Sequence, residues 1–401
     1  MTRTALRLSA LLSLTLASLQ AASVSDLTYT SDGSGITITD CLTSATGAMD
    51  IPATIDGLPV VKIASRAFQS CNKITSMTMP NTITSIGSYC FFNCDLMETI
   101  QLSTGLSTIA TATFRSCDSL DNVVIPEGVL KLGSYAFFGA DGMTSVSLPS
   151  SLTSIGNDAF DYCQALESIE IPAGVSSLPS RLFENCILLS NITLNEGLQT
   201  IKAYAFLNCQ SLTSLSLPST VSNIEAAAFD NASALVSVSI HPNNTTYASN
   251  GGSIVSNNLT TLEHVTEGTS GSYTIPFSVT SIASTALDGC DKITTLTLNS
   301  AITTFTSSYL SGCNSLTSIQ VEIGNTTFSS TGGVLFNLDA TELIAYPRGL
   351  TGAYTIPEGV TSIANSAFNN CDQLSSIQFA STLIQLAPLR SKAVTALLRR
   401  I

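Results

Sequence analysis

Residues 155–172 read IGNDAFDYCQALESIEIP, and the spacing of the apolar positions in this stretch decides the fold. Leu166, Ile169 and Ile171 form the pattern L-x-x-I-x-I, whose last part alternates as a short strand does when one face points inward. Pro172 and Gly174 then stop the strand. Val175 and Leu178 begin a second short extended piece, and the chain turns to bring Phe183 inward, at a step of 23 from Phe160 (183 − 160 = 23). The same step of 23 joins Phe68, Phe91, Phe114, Phe137, Phe160, Phe183, Phe206 and Phe229. Three residues after each stand Cys71, Cys94, Cys117, Ala140, Cys163, Cys186, Cys209 and Ala232. Beyond Phe229 the step becomes 58 to Leu287, 23 to Leu310 and 58 to Phe368, with Cys290, Cys313 and Cys371 at the same offset.

Each long step exceeds the regular one by 35 (58 − 23 = 35), which places equivalent insertions at 242–276 and 323–357. Tyr247, Gly252, Leu262, Tyr273 and Pro276 recur at a constant offset of 81 (328 − 247 = 81) as Phe328, Gly333, Leu343, Tyr354 and Pro357. Tandem duplication of this kind predicts one elongated domain of eleven stacked units over 51–386. A unit this short cannot bury its apolar face alone, so each unit covers the next and the core grows along the stack. At ~4.8 Å per rung the rod is of order 50 Å long before the insertions are counted.

Hydrophobic residues make up 44% of the 401-residue chain and charged residues 11%, a balance opposite to that of a disordered protein. A net charge of −13 repels phosphate backbones, so nucleic acid is excluded as a natural partner. No apolar run reaches the ~20 residues of a membrane crossing. Residues 1–22 stand apart: Arg3 and Arg7, an apolar stretch from Leu8 to Leu19, then Gln20, Ala21 and Ala22. That order predicts a secretory signal peptide cleaved between Ala22 and Val24, and hence a secreted or cell-surface protein.

The string I-x-x-x-A-F-x-x-C-x-x-L-x-x-I-x-L-P, carried by Ile155, Phe160, Cys163, Leu166, Ile169, Ile171 and Pro172, resembles the BspA-like class of bacterial leucine-rich repeats. The resemblance runs from about Asp50 to Leu386. It implies a right-handed solenoid of α/β class, dominated by short parallel strands with turns and short helices. Thr28–Tyr29–Thr30 and Ile36–Thr37–Ile38 resemble that family's N-terminal capping hairpin, here over 23–50. The insertions resemble its N-x-x-Y/F…G-V-L-F…L-I-x-Y-P-x-G…Y-x-I-P module, complete at Asn325 to Pro357. The copy at Asn244 to Pro276 is degenerate, with Glu263, His264 and Thr266 in place of the usual residues. Adhesion to host or matrix proteins, through a protein or glycoprotein partner, is the function the resemblance implies.

Nine of eleven cysteines share one repeat position, where Ala140 and Ala232 also fit. The position therefore wants a small apolar group, and buried thiols are expected in preference to a ladder of disulfides. Cysteines spaced one per repeat offer no metal-binding pair. His241 and His264 are the only histidines, and no H-E-x-x-H, G-x-S-x-G, P-loop or G-x-G-x-x-G accompanies them. No enzyme, cofactor or metal is predicted. Glu167 and Glu170 flank one strand, where a solvated edge accounts for them.

The outward strand positions are filled by residues such as Ser145, Ser168, Thr193, Ser216 and Ser239, which lack the aromatic and arginine anchors of tight interfaces. Two candidate binding regions remain. One is the acidic edge of the early rungs, Glu98, Asp121, Glu167 and Glu170, suited to a basic partner. The other is the second insertion, with Phe328, Phe336, Tyr346, Arg348 and Tyr354. Arg348, between Pro347 and Gly349, is the member expected to matter least for packing. At the other end, Lys392, Arg399 and Arg400 alternate with Val394, Leu397 and Leu398 over about three helical turns, so 387–401 reads as a capping helix or a tail. A monomeric binding protein is the favoured reading, and a self-associating structural protein of the envelope or matrix is the alternative.

Overall fold

A computed structural model describes residues 22–386. The leader up to residue 21 and the tail at 387–401 lie outside the described residues. The rung from Ile155 to Leu178 shows how each turn is made. Ser168–Ile171 pairs in parallel with Asn191–Leu194, Ile169 opposite Ile192 and Glu170 opposite Thr193. Its residues alternate exposed and buried, as the pattern predicts. A tight turn follows, with Val175 N donating to Pro172 O. Ser177–Leu178 then pairs in parallel with Thr200–Ile201 in a second row of two-residue strands.

The third side of the rung consists of turns, and it too is hydrogen-bonded from rung to rung. Asp158, Phe160 and Tyr162 donate their amides to Ser180 O, Leu182 O and Glu184 O at 3.2, 3.1 and 2.9 Å. This geometry needs left-handed backbone on both sides of the phenylalanine: Asp158 and Tyr162 have φ of 56° and 59°, and Arg181 and Asn185 repeat the pair at 59° and 60°. Each such non-glycine residue costs roughly 1–2 kcal/mol locally, a cost offset by the cross-rung bonds. With alternate amides aimed at the next rung, the turn keeps only isolated local bonds, Asp161 N to Asp158 O and Cys163 N to Phe160 O, and no helix propagates. The short helices expected from the sequence are accordingly replaced by turns, and the only helical pieces among the described residues are 3-10 turns at Val24–Asp26 and Ser307–Leu310.

Inside, the phenylalanines from Phe68 to Phe229 stack ring on ring at centroid distances of 5.2 to 5.9 Å. The cysteine position gains a second purpose here. Cys186 Sγ donates to Phe160 O at 3.0 Å, and Cys163, Cys209 and Cys94 do the same to the phenylalanine of the preceding rung at 3.1 to 3.2 Å. Phe160 O already accepts the amide of Cys163, so the thiol fills the carbonyl's second lone pair. All eleven cysteines are buried free thiols.

Polar brackets tie the turn after the longer strand to its neighbour. Glu127 accepts both the amide and the hydroxyl of Ser150, and Glu196 with Ser219 and Glu358 with Ser381 repeat the arrangement. Buried asparagines do similar work where the chain enters the insertions. Asn325 donates to Asn299 O and Ile302 O and accepts from Thr327 N and Phe328 N, so its amide is fully satisfied.

At the first end of the stack, Leu27–Ser31 forms an antiparallel hairpin with Ile36–Cys41, which in turn pairs in parallel with Leu58–Ile63. Each insertion is a hairpin followed by strands that join both rows. Tyr247–Asn250, Ser253–Ser256 and Thr261–His264 are antiparallel neighbours, and Gly271–Thr274 pairs with Ile293–Leu298. The insertions therefore add turns to the solenoid beyond the eleven units. They also interrupt it. Val238 N donates to Gly252 O in the hairpin turn instead of to a strand, and Ile319 N to Gly333 O likewise. A Cβ on Gly252 would lie 2.8 Å from Val236 O, so only glycine allows this approach. The hydrophobic core divides into three clusters close to these places.

At the first interruption the phenylalanine stack ends edge-on against His264, and Glu267 is buried nearby. Burial pushes the Glu267 carboxyl up to about 8, the Asn231 amide opposes that shift, and the charges of Asp230 and Asp291 add to it. A carboxyl raised above its ordinary value of 4.5 holds a proton in the folded protein that the unfolded chain has lost. Stability from this group is thus complete below about pH 4.5 and falls as pH rises to about 8.

Three outcomes follow from this packing. Phe160→Ala lowers unfolding free energy by about 3–5 kcal/mol, with faster hydrogen exchange in adjacent rungs; uniform loss of protection from Ile63 to Leu386 contradicts nearest-neighbour stacking. A thiol-reactive chromophore labels no buried cysteine in the native protein and eleven after denaturation, whereas a shortfall in the denatured count reveals disulfides. Glu267→Gln raises the melting temperature at pH 8 by a few degrees and has progressively less effect on acidification to about pH 5; a pH-independent difference refutes the ionisation.

Candidate docking surfaces

On the longer-strand side, Glu170 lies in an open groove of about 710 Å³ lined by Glu127, Ser147, Ser168, Asn191 and Asn195. Asn195 Nδ2 donates to Glu170 Oε1 and to Ile171 O, both at 3.0 Å. Ser216 and Ser239 bond to each other at 2.8 Å. These bonds tie part of this polar face together across the rungs, while Ser147, Ser168 and Thr193 are exposed. A second hollow of about 440 Å³ continues past Asn195 to Glu196, Pro218 and His241.

Glu98, Asp121 and Glu167 stand in one column just before the longer strands. Asp121 N donates to Glu98 O, and Glu167 N to Thr144 O, the residue of the intervening rung. Hydrogen bonds from Thr144 hold the Asp121 carboxyl below the usual range, while Glu98 and Glu167 are exposed. Glu170 is separate from this column, three residues on and within the groove.

The second insertion corrects the expectation placed on it. Phe328, Tyr346 and Arg348 are only 6%, 2% and 7% exposed, so they build the core and offer no contact surface. Tyr346 packs at 5.1 Å from Phe368 and 4.9 Å from Tyr354, replacing the phenylalanine of the stack. Arg348 is packed where Glu267 lies in the first insertion (267 + 81 = 348). Burial raises the Asp288 carboxyl, and the Arg348 charge opposes that rise. The Pro-Arg-Gly turn suggests exposure, but Gly349 N donates to Leu316 O and draws the turn against the preceding rung.

A surface not anticipated from sequence lies on the turn side of the early rungs. The Arg66 guanidinium sits 5.2 Å from the Tyr89 ring, and Tyr89 meets Phe92 edge-on at 6.0 Å. Arg115 lies between Phe92 and Phe138, 5.8 and 4.7 Å from their centroids, and Tyr135 closes on Phe138 at 5.8 Å. Phe138 then reaches Tyr162, which is 43% exposed. These residues flank the core phenylalanine, two before it, one after or two after. Arg181 and Tyr204 repeat the Arg–Tyr contact at 5.5 Å further along, after which the first two positions hold Ala227, Thr285 and Ser308, or Asp230, Asp288 and Ser311. Strand periodicity does not mark these positions, because they lie in the turns.

The BspA type leucine rich repeat region model matches residues 53–166, 131–251, 265–351 and 349–388. No curated protein matches the sequence. Among solved structures, a leucine rich cell surface protein from Faecalibacterium prausnitzii is 24% identical, covers 88% of this chain and 93% of its own, and superposes with a TM-score of 0.57. A leucine-rich repeat protein from Bacteroides ovatus is 22% identical over 90% of this chain and 89% of its own, with a TM-score of 0.58. A T. pallidum leucine rich repeat protein is 31% identical over 48% of this chain and 91% of its own, with a TM-score of 0.45. The two broader matches share the solenoid fold, no helix among the described residues is long and apolar enough to cross a membrane, and the family model spans most of the repeats. By its repeat, its insertions and the family match together, this chain belongs to the BspA type leucine-rich repeat family.

Proposed function

We propose that the chain is a secreted or cell-surface, non-catalytic binding protein that works as a monomer and adheres to a protein or glycoprotein partner. Export is supported by the basic, apolar and small residues of 1–22 and by the cell-surface description of the F. prausnitzii relative. A binding role is supported most by the turn side of the early rungs. Tyr89 and Tyr135 occupy backbone with φ of 59° and 60°, a conformation that bulky residues avoid and that Ala112 and Ala227 adopt at the same repeat position. Aromatic and arginine side chains retained against local preference, on a surface, mark a site of recognition.

A non-catalytic role is supported by the histidines. His241 is exposed on a turn, whereas burial pulls the ring of His264 down to about 4 and leaves it neutral. Immobilised protein tested against a panel of extracellular matrix proteins and glycoproteins is expected to give saturable binding to a defined partner. Absence of binding across the panel, together with concentration-dependent association in sedimentation velocity, overturns this reading in favour of self-assembly.

A further inference from the structure

The turn side of the early rungs carries two neighbouring columns of opposite chemistry. The first is the aromatic ridge from Arg66 to Tyr162. The second consists of Asp95, Asp118 and Asp141, each three residues beyond Phe92, Arg115 and Phe138. Ser119 N donates to Asp95 O and Gly142 N to Asp118 O, which stacks the acidic column in register over three rungs. Burial raises the Asp118 carboxyl, and the Asp95 and Asp141 charges above and below push it the same way. Glu98 and Asp121 extend the negative charge toward the longer strands.

Neither column is required by the repeat. At the position of the three aspartates the next four rungs carry Gln164, Ile187, Gln210 and Ser233, and aspartate returns only singly, at Asp291 and Asp372, so three in succession are peculiar to this stretch. Three like charges one rung apart repel one another, and cationic side chains laid along them relieve that repulsion. The rings beside them are partly exposed, and Tyr162 at the end of the ridge is exposed. We infer that this ridge docks an extended basic segment of a protein partner. The segment's apolar side chains lie on the Tyr89–Phe92 and Tyr135–Phe138 pairs and on the exposed Tyr162 ring beside Phe138, and its lysine or arginine side chains lie on Asp95, Asp118 and Asp141. Arg115 is a positioning residue that keeps Phe92 and Phe138 apart through its face-on contacts. The assignment rests on the binding role proposed above and names the surface and the chemistry of the partner.

A labelled peptide of alternating lysine and leucine, which separates cations and apolar groups onto two faces when extended, is the probe. Fluorescence anisotropy reads its binding to the full chain, with an alternating glutamate and leucine peptide and a neutral cello-oligosaccharide as competitors. The wild type binds the basic peptide, and salt weakens the complex. Tyr162→Ser, at an exposed ring where folding is not at stake, and the pair Asp118→Asn with Asp141→Asn each reduce affinity about tenfold. Glu170→Gln in the strand-side groove binds as the wild type does. Failure of the basic peptide to bind, equal binding by all variants, or displacement by the glutamate peptide or the oligosaccharide overturns the assignment. A matrix partner captured equally by wild type and Tyr162→Ser leaves the binding role standing and removes this ridge from it.

Discussion

Every side of the solenoid depends on hydrogen bonding between equivalent positions of successive rungs. A turn of chain this short has no partner of its own for most of its amides and carbonyls, and unsatisfied buried groups are costly. Ser168–Ile171 finds Asn191–Leu194, Leu178 finds Ile201, and Phe160 N finds Leu182 O. One insertion or deletion within a rung puts all three sides out of step together, so the repeat length is held constant while surface residues vary.

The buried contents follow from that registry. Phenylalanine rings brought to one level in each rung stack face to face, and the carbonyl behind each ring is left with a lone pair turned toward the next turn. A thiol is small enough for the space and polar enough to donate, which alanine at 140 and 232 cannot do. Cysteine here is a packing residue with a weak hydrogen bond. The insertions break the registry and offset the break in their own ways: hairpin carbonyls of Gly252 and Gly333 accept the amides of Val238 and Ile319, and Asn244 and Asn325 satisfy four backbone groups each. Glu267 and Arg348, equivalent in the duplication, are a buried carboxyl that keeps its proton and a buried guanidinium, so the two interruptions differ in electrostatics although they share a backbone plan.

With the scaffold accounted for, the surface residues divide by whether the repeat needs them. On the strand side Ser216 bonds Ser239, Ser145 bonds Asn122 and Asn195 bonds Glu170 from rung to rung. The aromatic and arginine ridge on the turn side has no such structural necessity, because alanine, serine and threonine occupy its positions in other rungs. In the early rungs it lies beside the aspartates Asp95, Asp118 and Asp141, and only there do several rings and three successive aspartates occur together.

The sequence alone determined the repeat, its phase, the positions of both insertions and the inward face of each strand, because a strict period leaves one way to bury Leu166, Ile169, Ile171 and Phe160 together. It also located the acidic residues of the early rungs. Tertiary structure decided what fills the third side, since left-handed turns at Tyr89 or Asp158 have no signature in residue type when tyrosine, arginine, alanine and aspartate all occupy them. It decided the fate of Phe328, Tyr346 and Arg348 as well, because their burial depends on a neighbouring rung, reached through Gly349 N and Leu316 O, that is distant along the chain. The ridge from Arg66 to Tyr162 became visible for the same reason: its members sit about one repeat apart in sequence, and only stacking makes them neighbours.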